Sequence, residues 1–285
     1  MAQQIKLTEC PRDAMQGIVK FIPTELKAAY INLLLQVGFD TIDFGSFVSP
    51  KAIPQLQDTA EVLKKLDLSS THSKLLAIIA NYRGAEDAAK HEEITYLGYP
   101  FSISETFQQR NANTSIHDAF DTVKRINELC QSTGKQLLIY LSMGFGNPYG
   151  DEWSVEIISQ WAERLIGEGI NIIALSDTIG VATPEQISSI YPALCSQFPQ
   201  TEFGLHLHST PDTWQEKIEA AYKSGCRRLD TAIKGYGGCP MAKDDLTGNI
   251  ATENVVSYLQ TQNENIGLNL DKLREALEYS GRIFG

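Results

Sequence analysis

The chain lacks any apolar run near the ~20 residues that a membrane-spanning helix requires, so nothing in it reads as an integral membrane segment. Basic residues are in the minority: 24 Lys and Arg against 35 Asp and Glu give a formal net charge of −11. That balance argues against a nucleic-acid or anionic-membrane surface, while leaving room for a local basic spot facing a phosphorylated ligand. Cysteine is scarce. The five present (Cys10, Cys130, Cys195, Cys226, Cys239) are widely spaced and never form C-x-x-C. A disulfide framework or zinc ribbon is therefore not expected, and reduced thiols in a cytoplasm fit best. No G-x-G-x-x-G follows the first strand-like run, and no low-complexity tail or long linker interrupts the pattern. Met1-Ala2-Gln3-Gln4 leads straight into a strand-like run, so no signal or transit peptide is expected.

What is present is alternation. Strand-like runs occur at Ile5–Cys10, Thr41–Gly45, Leu75–Ala80, Ile94–Tyr99, Gln136–Ser142, Ile170–Ser176, Glu202–His208 and Arg228–Ile233. Amphipathic helical segments separate most of them: Thr24–Val37, Gln55–Lys65, a short one from Gly84 to His91, Ile116–Gln131, Ser154–Ile166, Pro184–Gln197 and Thr213–Lys223. Thr252–Gln262 supplies an eighth helix and Leu270–Phe284 a further one, placed to cover the barrel or a partner subunit. The punctuation agrees. Thr24 and Thr183 stand as N-caps, Pro184 occupies a first turn, and Gly38, Gly134 and Gly225 follow helix ends. Strand and helix alternating about eight times implies parallel strands with helical crossovers. Without the dinucleotide fingerprint, a closed (β/α)8 TIM barrel is preferred to an open doubly wound sheet, as one α/β domain over residues 1–285 with an extra C-terminal helix.

Such barrels build their active sites from loops at the carboxyl ends of the strands. There the chain places Gly204-Leu205-His206-Leu207-His208, read as a strand whose alternate side chains, His206 and His208, share a face. Paired imidazoles are a natural metal clamp, although a lone His-x-His is also an ordinary structural pair. Pro11-Arg12-Asp13 follows the first strand. A surface turn is the plain reading, but Asp13 can join the histidines on a metal and Arg12 can face a developing oxyanion. Asp43 ends the second strand, Asn81 follows the third, and the glycine-rich loop Ser142-Met143-Gly144-Phe145-Gly146-Asn147-Pro148, able to move, follows the fifth. Asp177 follows the sixth, as a proton-exchanging acid or a helix cap. Gly235, Gly237 and Gly238 give a lid with Cys239 at its tip, a thiol in too polar a setting to be a buried hydrophobe. Asn249 offers an oxygen and Glu253 a means to orient it. Gln16, Asp43, Asn81, Ser142 and Glu253 are thus candidates for orienting ligands or touching substrate. Two nitrogens and two oxygens suit Mg²⁺, Mn²⁺ or a catalytic Zn²⁺ with open positions.

At these residues the chain resembles the 3-hydroxy-3-methylglutaryl-CoA lyase family of the DRE-TIM metallolyase superfamily. The resemblance rests on Pro11-Arg12-Asp13, Ser46-Phe47-Val48-Ser49-Pro50-Lys51, Ser176-Asp177-Thr178-Ile179-Gly180-Val181, His206-Leu207-His208, Gly237-Gly238-Cys239-Pro240 and Gly248-Asn249-Ile250-Ala251-Thr252-Glu253, in the family's order over nearly the whole chain. It implies cleavage of hydroxymethylglutaryl-CoA to acetyl-CoA and acetoacetate. It implies Asp13, His206, His208 and Asn249 as metal ligands, with His206 also among the catalytic residues. It further implies Arg12 stabilising the enolate, Cys239 protonating it and Asp177 in proton transfer. A thiol with an ordinary pKa of ~8.5 can donate at neutral pH. The chain departs from the family in having Asp43 for Glu, Ser209 for an acid, Met143 and Asn147 where Cys is frequent, and one extra residue between Cys239 and Asn249. Such changes bear on the acyl group, because pocket walls set that choice. The implied partner is an acyl-CoA, with Lys20, Lys51 and Arg110 as candidates for steering it, and a homodimer of the bacterial, cytoplasmic kind is expected. The alternatives are a related lyase or condensing enzyme for another 3-hydroxy-acyl-CoA, or a non-catalytic barrel binding metal or acyl-CoA. A metal hydrolase fits less well, since such barrels usually carry His-x-His on the first strand.

Overall fold

The computed structural model describes residues 4–238 and 247–285. Eight parallel strands close a barrel: β1 (Lys6–Glu9), β2 (Thr41–Ser46), β3 (Lys74–Ile78), β4 (Ile94–Ser102), β5 (Gln136–Ser142), β6 (Ile172–Ser176), β7 (Glu202–His206) and, after the two-residue β8 (His208–Ser209), β9 (Arg228–Thr231), which pairs with both β7 and β1. The expected TIM barrel is therefore the observed one. The helices follow in order: α1 (Pro11–Gln16), α2 (Thr24–Val37), α3 (Thr59–Leu63), α4 (Tyr82–Ala89), α5 (Glu105–Ala112), α6 (Ile116–Thr133), α7 (Val155–Gly167), α8 (Pro184–Gln197), α9 (Trp214–Lys223), α10 (Thr252–Thr261), α11 (Leu270–Tyr279) and α12 (Gly281–Phe284). None of the described helices is long and apolar enough to cross a membrane.

The main core lies between strands and helices, where outward strand residues such as Leu7, Ile42, Leu97 and Leu205 meet helix residues such as Leu34, Val123 and Ile187. A smaller cluster of Leu76, Ile78, Tyr96, Leu138, Tyr140, Ile172 and Ala174 fills the barrel itself. At its amino end Glu202 accepts from Lys6 Nζ at 2.8 Å and Arg228 Nη1 at 3.1 Å, which closes the floor with charge.

Several boundaries differ from expectation for identifiable reasons. β4 runs on to Ser102 through Pro100. Its pairing with β3 ends at Gly98, so a residue without an N–H breaks no ladder bond on that side. The expected helix Gln55–Lys65 shrinks to α3 because Gln55 is drawn inward, accepting from Ile22 N and donating to the carbonyls of Ile18 and Lys20. Thr24 is the first helical residue rather than the cap, and its hydroxyl donates to Asp58 instead. α5, too polar to show a periodicity, starts from the Ser104 side chain, which accepts from Phe107 N. The final helix breaks into α11 and α12 at Ser280. Thr183 caps α8 as expected, and Gln186 completes a capping box.

Candidate metal centre and active site

The expected strand Glu202–His208 ends at His206. His208 has left the barrel wall and pairs antiparallel with β10 (Gly248–Asn249), opposite Asn249. The two imidazoles still converge, with their Nε2 atoms 3.2 Å apart. The turn after β1 is the short helix α1, begun by Pro11 at its first position. It lifts Arg12, Asp13 and Gln16 to the mouth. Asp13, His206 and His208 each present a ligand atom within 4.8 Å of the others, forming a group that can hold a metal ion. Asn249 joins them from β10: its Nδ2 donates to Asp13 Oδ2 at 2.6 Å and to the Tyr236 carbonyl at 2.9 Å. With both amide hydrogens so used, the oxygen is the atom left to ligate.

Charge at the mouth is tightly matched. Asp43, fully buried, takes Arg12 in a fork, with Nε at 2.9 Å and Nη2 at 2.5 Å from Oδ2. Arg12 Nη1 donates to Asp13 Oδ1 at 3.0 Å and to Gln16 Oε1 at 2.9 Å, and Gln16 Nε2 returns a bond to Asp13 Oδ1 at 2.7 Å. Among the described residues, four of the five guanidinium N–H groups are thus engaged, leaving one on Nη2. Burial opposes charge on Arg12, but Asp43 and Asp13 outweigh it and push its pKa further up. Burial likewise opposes charge on Asp13, yet Arg12 and the two histidines hold its carboxyl below the usual range. For Asp43 burial wins, and its carboxyl rises to about 6.

The histidines differ in their backing. His206 Nδ1 lies 3.2 Å from Asp230 Oδ2, and that carboxylate raises the imidazole pKa against the effect of burial. His208 Nδ1 faces the Thr178 carbonyl at 3.2 Å, and burial with His206 beside it lowers the ring to about 4. His208 is therefore neutral at ordinary pH with a lone pair to give. A carboxylate and two imidazoles at one point, with the Asn249 amide beside them, fit a divalent cation of the harder kind. Cys10 lies below, fully buried and grouped with His206 and Asp230; burial raises its thiol well above the usual value.

Three expectations need correction. Asp177 does not open to the mouth: it is 1 % exposed, Oδ1 accepts from Ala182 N at 2.9 Å, and Oδ2 accepts from Lys217 Nζ at 2.8 Å. Glu253 does not orient Asn249; it accepts from Lys234 N at 3.1 Å. The loop after β5 is tied rather than free. Asn147 bonds Tyr149 N and Asp151, and Asp151 in turn takes Ser104 and Thr106 of the α5 entry. Asn81 caps α4 through Gly84 N, and Ser142 ends β5 buried beside the site. Gly235, Gly237 and Gly238 all have positive φ. A Cβ on Gly237 would stand 2.8 Å from Asp13 O and Asn249 Nδ2, so close approach as well as freedom requires glycine there. Cys239 lies outside the described residues.

Sequence reasoning overlooked Lys217, Asp230, Glu9 and Tyr140. Lys217 is 3 % exposed and donates to Asp177, to Gly180 O at 3.0 Å and to His208 O at 2.7 Å. Its signal was a lysine on the same stripe of α9 as Ile218 and Ala221. Asp230 alternates with Arg228 on the inward face of β9, a period-2 charge that only a site or a partner explains. Tyr140 stands edge-on to the His206 ring, its hydroxyl without a partner among the described residues.

A parallel (β/α)8 barrel with a carboxylate–imidazole cluster at its carboxyl mouth defines a metal-dependent barrel enzyme class. Within that class the chain belongs to the HMGL-like family, whose model matches residues 5–279. It is 34% identical to the hydroxymethylglutaryl-CoA lyase YngG of Bacillus subtilis over 94% of this chain and 89% of that protein. It is 32% identical to the mitochondrial hydroxymethylglutaryl-CoA lyase of Mus musculus over 98% and 85%. The solved HMG-CoA lyase of Acinetobacter baumannii, in complex with coenzyme A and 3-methylmalate, superposes with a TM-score of 0.90 at 31% identity, covering 99% of this chain and 92% of that one.

Proposed function

We propose that this chain is a divalent-metal-dependent carbon–carbon lyase that cleaves 3-hydroxy-3-methylglutaryl-CoA to acetyl-CoA and acetoacetate. The observation that carries the reading is the convergence of Asp13, His206 and His208 on one point beside an Arg12 locked by Asp43. Family membership and relatives named hydroxymethylglutaryl-CoA lyase support it. Asp13, His206, His208 and Asn249 would hold Mg²⁺ or Mn²⁺, with Zn²⁺ the softer option, and the cation would supply Lewis acidity toward substrate oxygens. The proton of the tertiary hydroxyl passes to a base at the mouth, the O–H pair forms the ketone of acetoacetate, the bond between the carbinol carbon and the thioester α-carbon breaks, and its electron pair moves onto the thioester as an enolate.

The residues divide the work by chemistry. His206 donates Nδ1–H to the buried Asp230, which fixes its tautomer, makes it a more basic ligand and holds the ring at the reacting centre. Arg12 has one N–H without a partner among the described residues and a permanent charge to set against the enolate. Cys239 would then deliver the proton that makes acetyl-CoA. Asp177 serves by holding Lys217 rather than by moving protons. An acyl-CoA partner, a homodimer and a cytoplasmic setting belong to the same reading. A coupled assay on hydroxymethylglutaryl-CoA, with chelator and then with Mg²⁺ or Mn²⁺ restored, tests it. Activity should vanish and return, and Cys239→Ser should keep Mn²⁺ binding while losing most turnover. Full turnover under chelator, or in Cys239→Ser, would contradict the assignment.

A further inference from the structure

Among the described residues the carbonyl of Tyr236 is one of two groups that orient the Asn249 amide, the other being Asp13. What fixes Tyr236 lies outside the barrel. Its ring stacks on Phe284 of α12 with centroids 4.3 Å apart and planes 21° from parallel. Phe284 also meets the fully buried Tyr30 of α2 edge-on at 6.0 Å, and Tyr30 stacks on Tyr279 of α11 at 6.3 Å. Between ring and metal centre the chain has no slack. A Cβ on Gly235 would come within 2.8 Å of Asn249 O, and one on Gly237 within 2.8 Å of Ala14 Cα, Asp13 O and Asn249 Nδ2. The Gly235–Gly237 backbone is thus pressed onto the main chain of Asp13 and Asn249 and onto the Asn249 amide nitrogen, and the Tyr236 side chain anchors it to α12.

We propose that Phe284 is a positioning residue for the metal ligand Asn249, acting through the stacked ring and the carbonyl of Tyr236. The inference rests on the reading of Asn249 as a ligand and goes beyond it by assigning part of the centre's preorganisation to the helix layer. A flat ring on α12 sets where the Tyr236 carbonyl stands, that carbonyl takes one amide hydrogen, and Asp13 takes the other. The amide oxygen is then fixed in direction. Without the ring the carbonyl can drift, and the amide can turn its nitrogen toward the cation.

The test is Mn²⁺ binding followed by electron paramagnetic resonance on the full chain, independent of turnover. Phe284→Leu, which keeps the apolar bulk, should weaken Mn²⁺ binding about three- to tenfold, the range expected for one aromatic contact, and Phe284→Tyr should restore it. Tyr279→Ala, which removes a ring from the same cluster without touching Tyr236, should leave Mn²⁺ affinity unchanged. In an Asn249→Ala background, Phe284→Leu should have no further effect. Unchanged affinity in Phe284→Leu overturns the inference, as does equal weakening in Tyr279→Ala or an undiminished effect in the Asn249→Ala background. Absence of Mn²⁺ binding in the unaltered protein would instead overturn the metal reading beneath it.

Discussion

Lys217→Met removes a cation that three groups share. In the native fold the ammonium bridges the Asp177 carboxylate at 2.8 Å, the Gly180 carbonyl at 3.0 Å and the His208 carbonyl at 2.7 Å. The Asp177 side chain is 0% exposed, so without Lys217 a buried carboxylate stands uncompensated. Breaking a buried pair from one side costs roughly 3–5 kcal/mol. Each orphaned carbonyl adds up to about 1–3 kcal/mol, less where the chain relaxes. Methionine matches the stem's volume and recovers some packing, so a net loss of about 4 kcal/mol is expected, or a fall in Tm of roughly 5–8 °C for a chain of this size. The same change releases the backbone at His208, so Mn²⁺ affinity should fall as well. Asp177→Asn in the Lys217→Met background should recover part of the stability, since the uncompensated charge is then gone. Melting and Mn²⁺ titration of the single and double variants form a cycle. A stability loss under about 1 kcal/mol, or no recovery in the double variant, would refute the claim that this ion pair holds the β6 and β7 loops together.

Three further outcomes follow from the same geometry. Glu9 is fully buried, accepting from Ile233 N and Thr252 Oγ1, and burial lifts its carboxyl from 4.5 to about 8. The folded state thus retains a proton that the unfolded state releases, so stability should fall as pH rises from about 4.5 to 8, by at most about 5 kcal/mol; Glu9→Gln should flatten that slope in denaturant titrations, and an unchanged slope would count against it. Asp230→Asn takes the carboxylate from behind His206, so the imidazole pKa should drop and Mn²⁺ should stay bound to lower pH, while affinity at neutral pH weakens about 10- to 100-fold; a binding curve that does not move with pH would argue that Asp230 is only filler. Arg12→Lys keeps the charge but cannot fork onto Asp43. Turnover should fall about 10²- to 10³-fold with KM changed much less, and a variant changed chiefly in KM would show Arg12 to be a binding group.

The sequence by itself determined the barrel and most of its mouth. Alternation of β-rich runs with capped amphipathic helices names a parallel sheet with helical crossovers, and eight such units without a dinucleotide fingerprint favour a closed barrel. The rule that strand ends carry the chemistry singles out Asp13, His206, His208, Asn249 and Arg12 as candidates, and the family resemblance supplies the roles proposed for them. Where local signals conflicted, tertiary contacts decided. Pro100 stays in a strand because its β3 neighbour has already ended. Gln55 leaves a helix because three backbone groups of the α1–α2 connection claim its amide. The shell behind the site left only faint marks, Lys217 on an apolar helix stripe and the period-2 charges of β9, and its pairings were not legible. Asp177 and Lys217 are 40 residues apart, and Glu9 and Ile233 are 224 apart. A charged residue in sequence carries no mark of whether it meets water or a distant partner. Barrel closure brought β9 against β1 and buried Glu9 with Ile233, and the docking of α9 against the β6 loop buried Lys217 with Asp177, so tertiary packing decided which charges hold the frame.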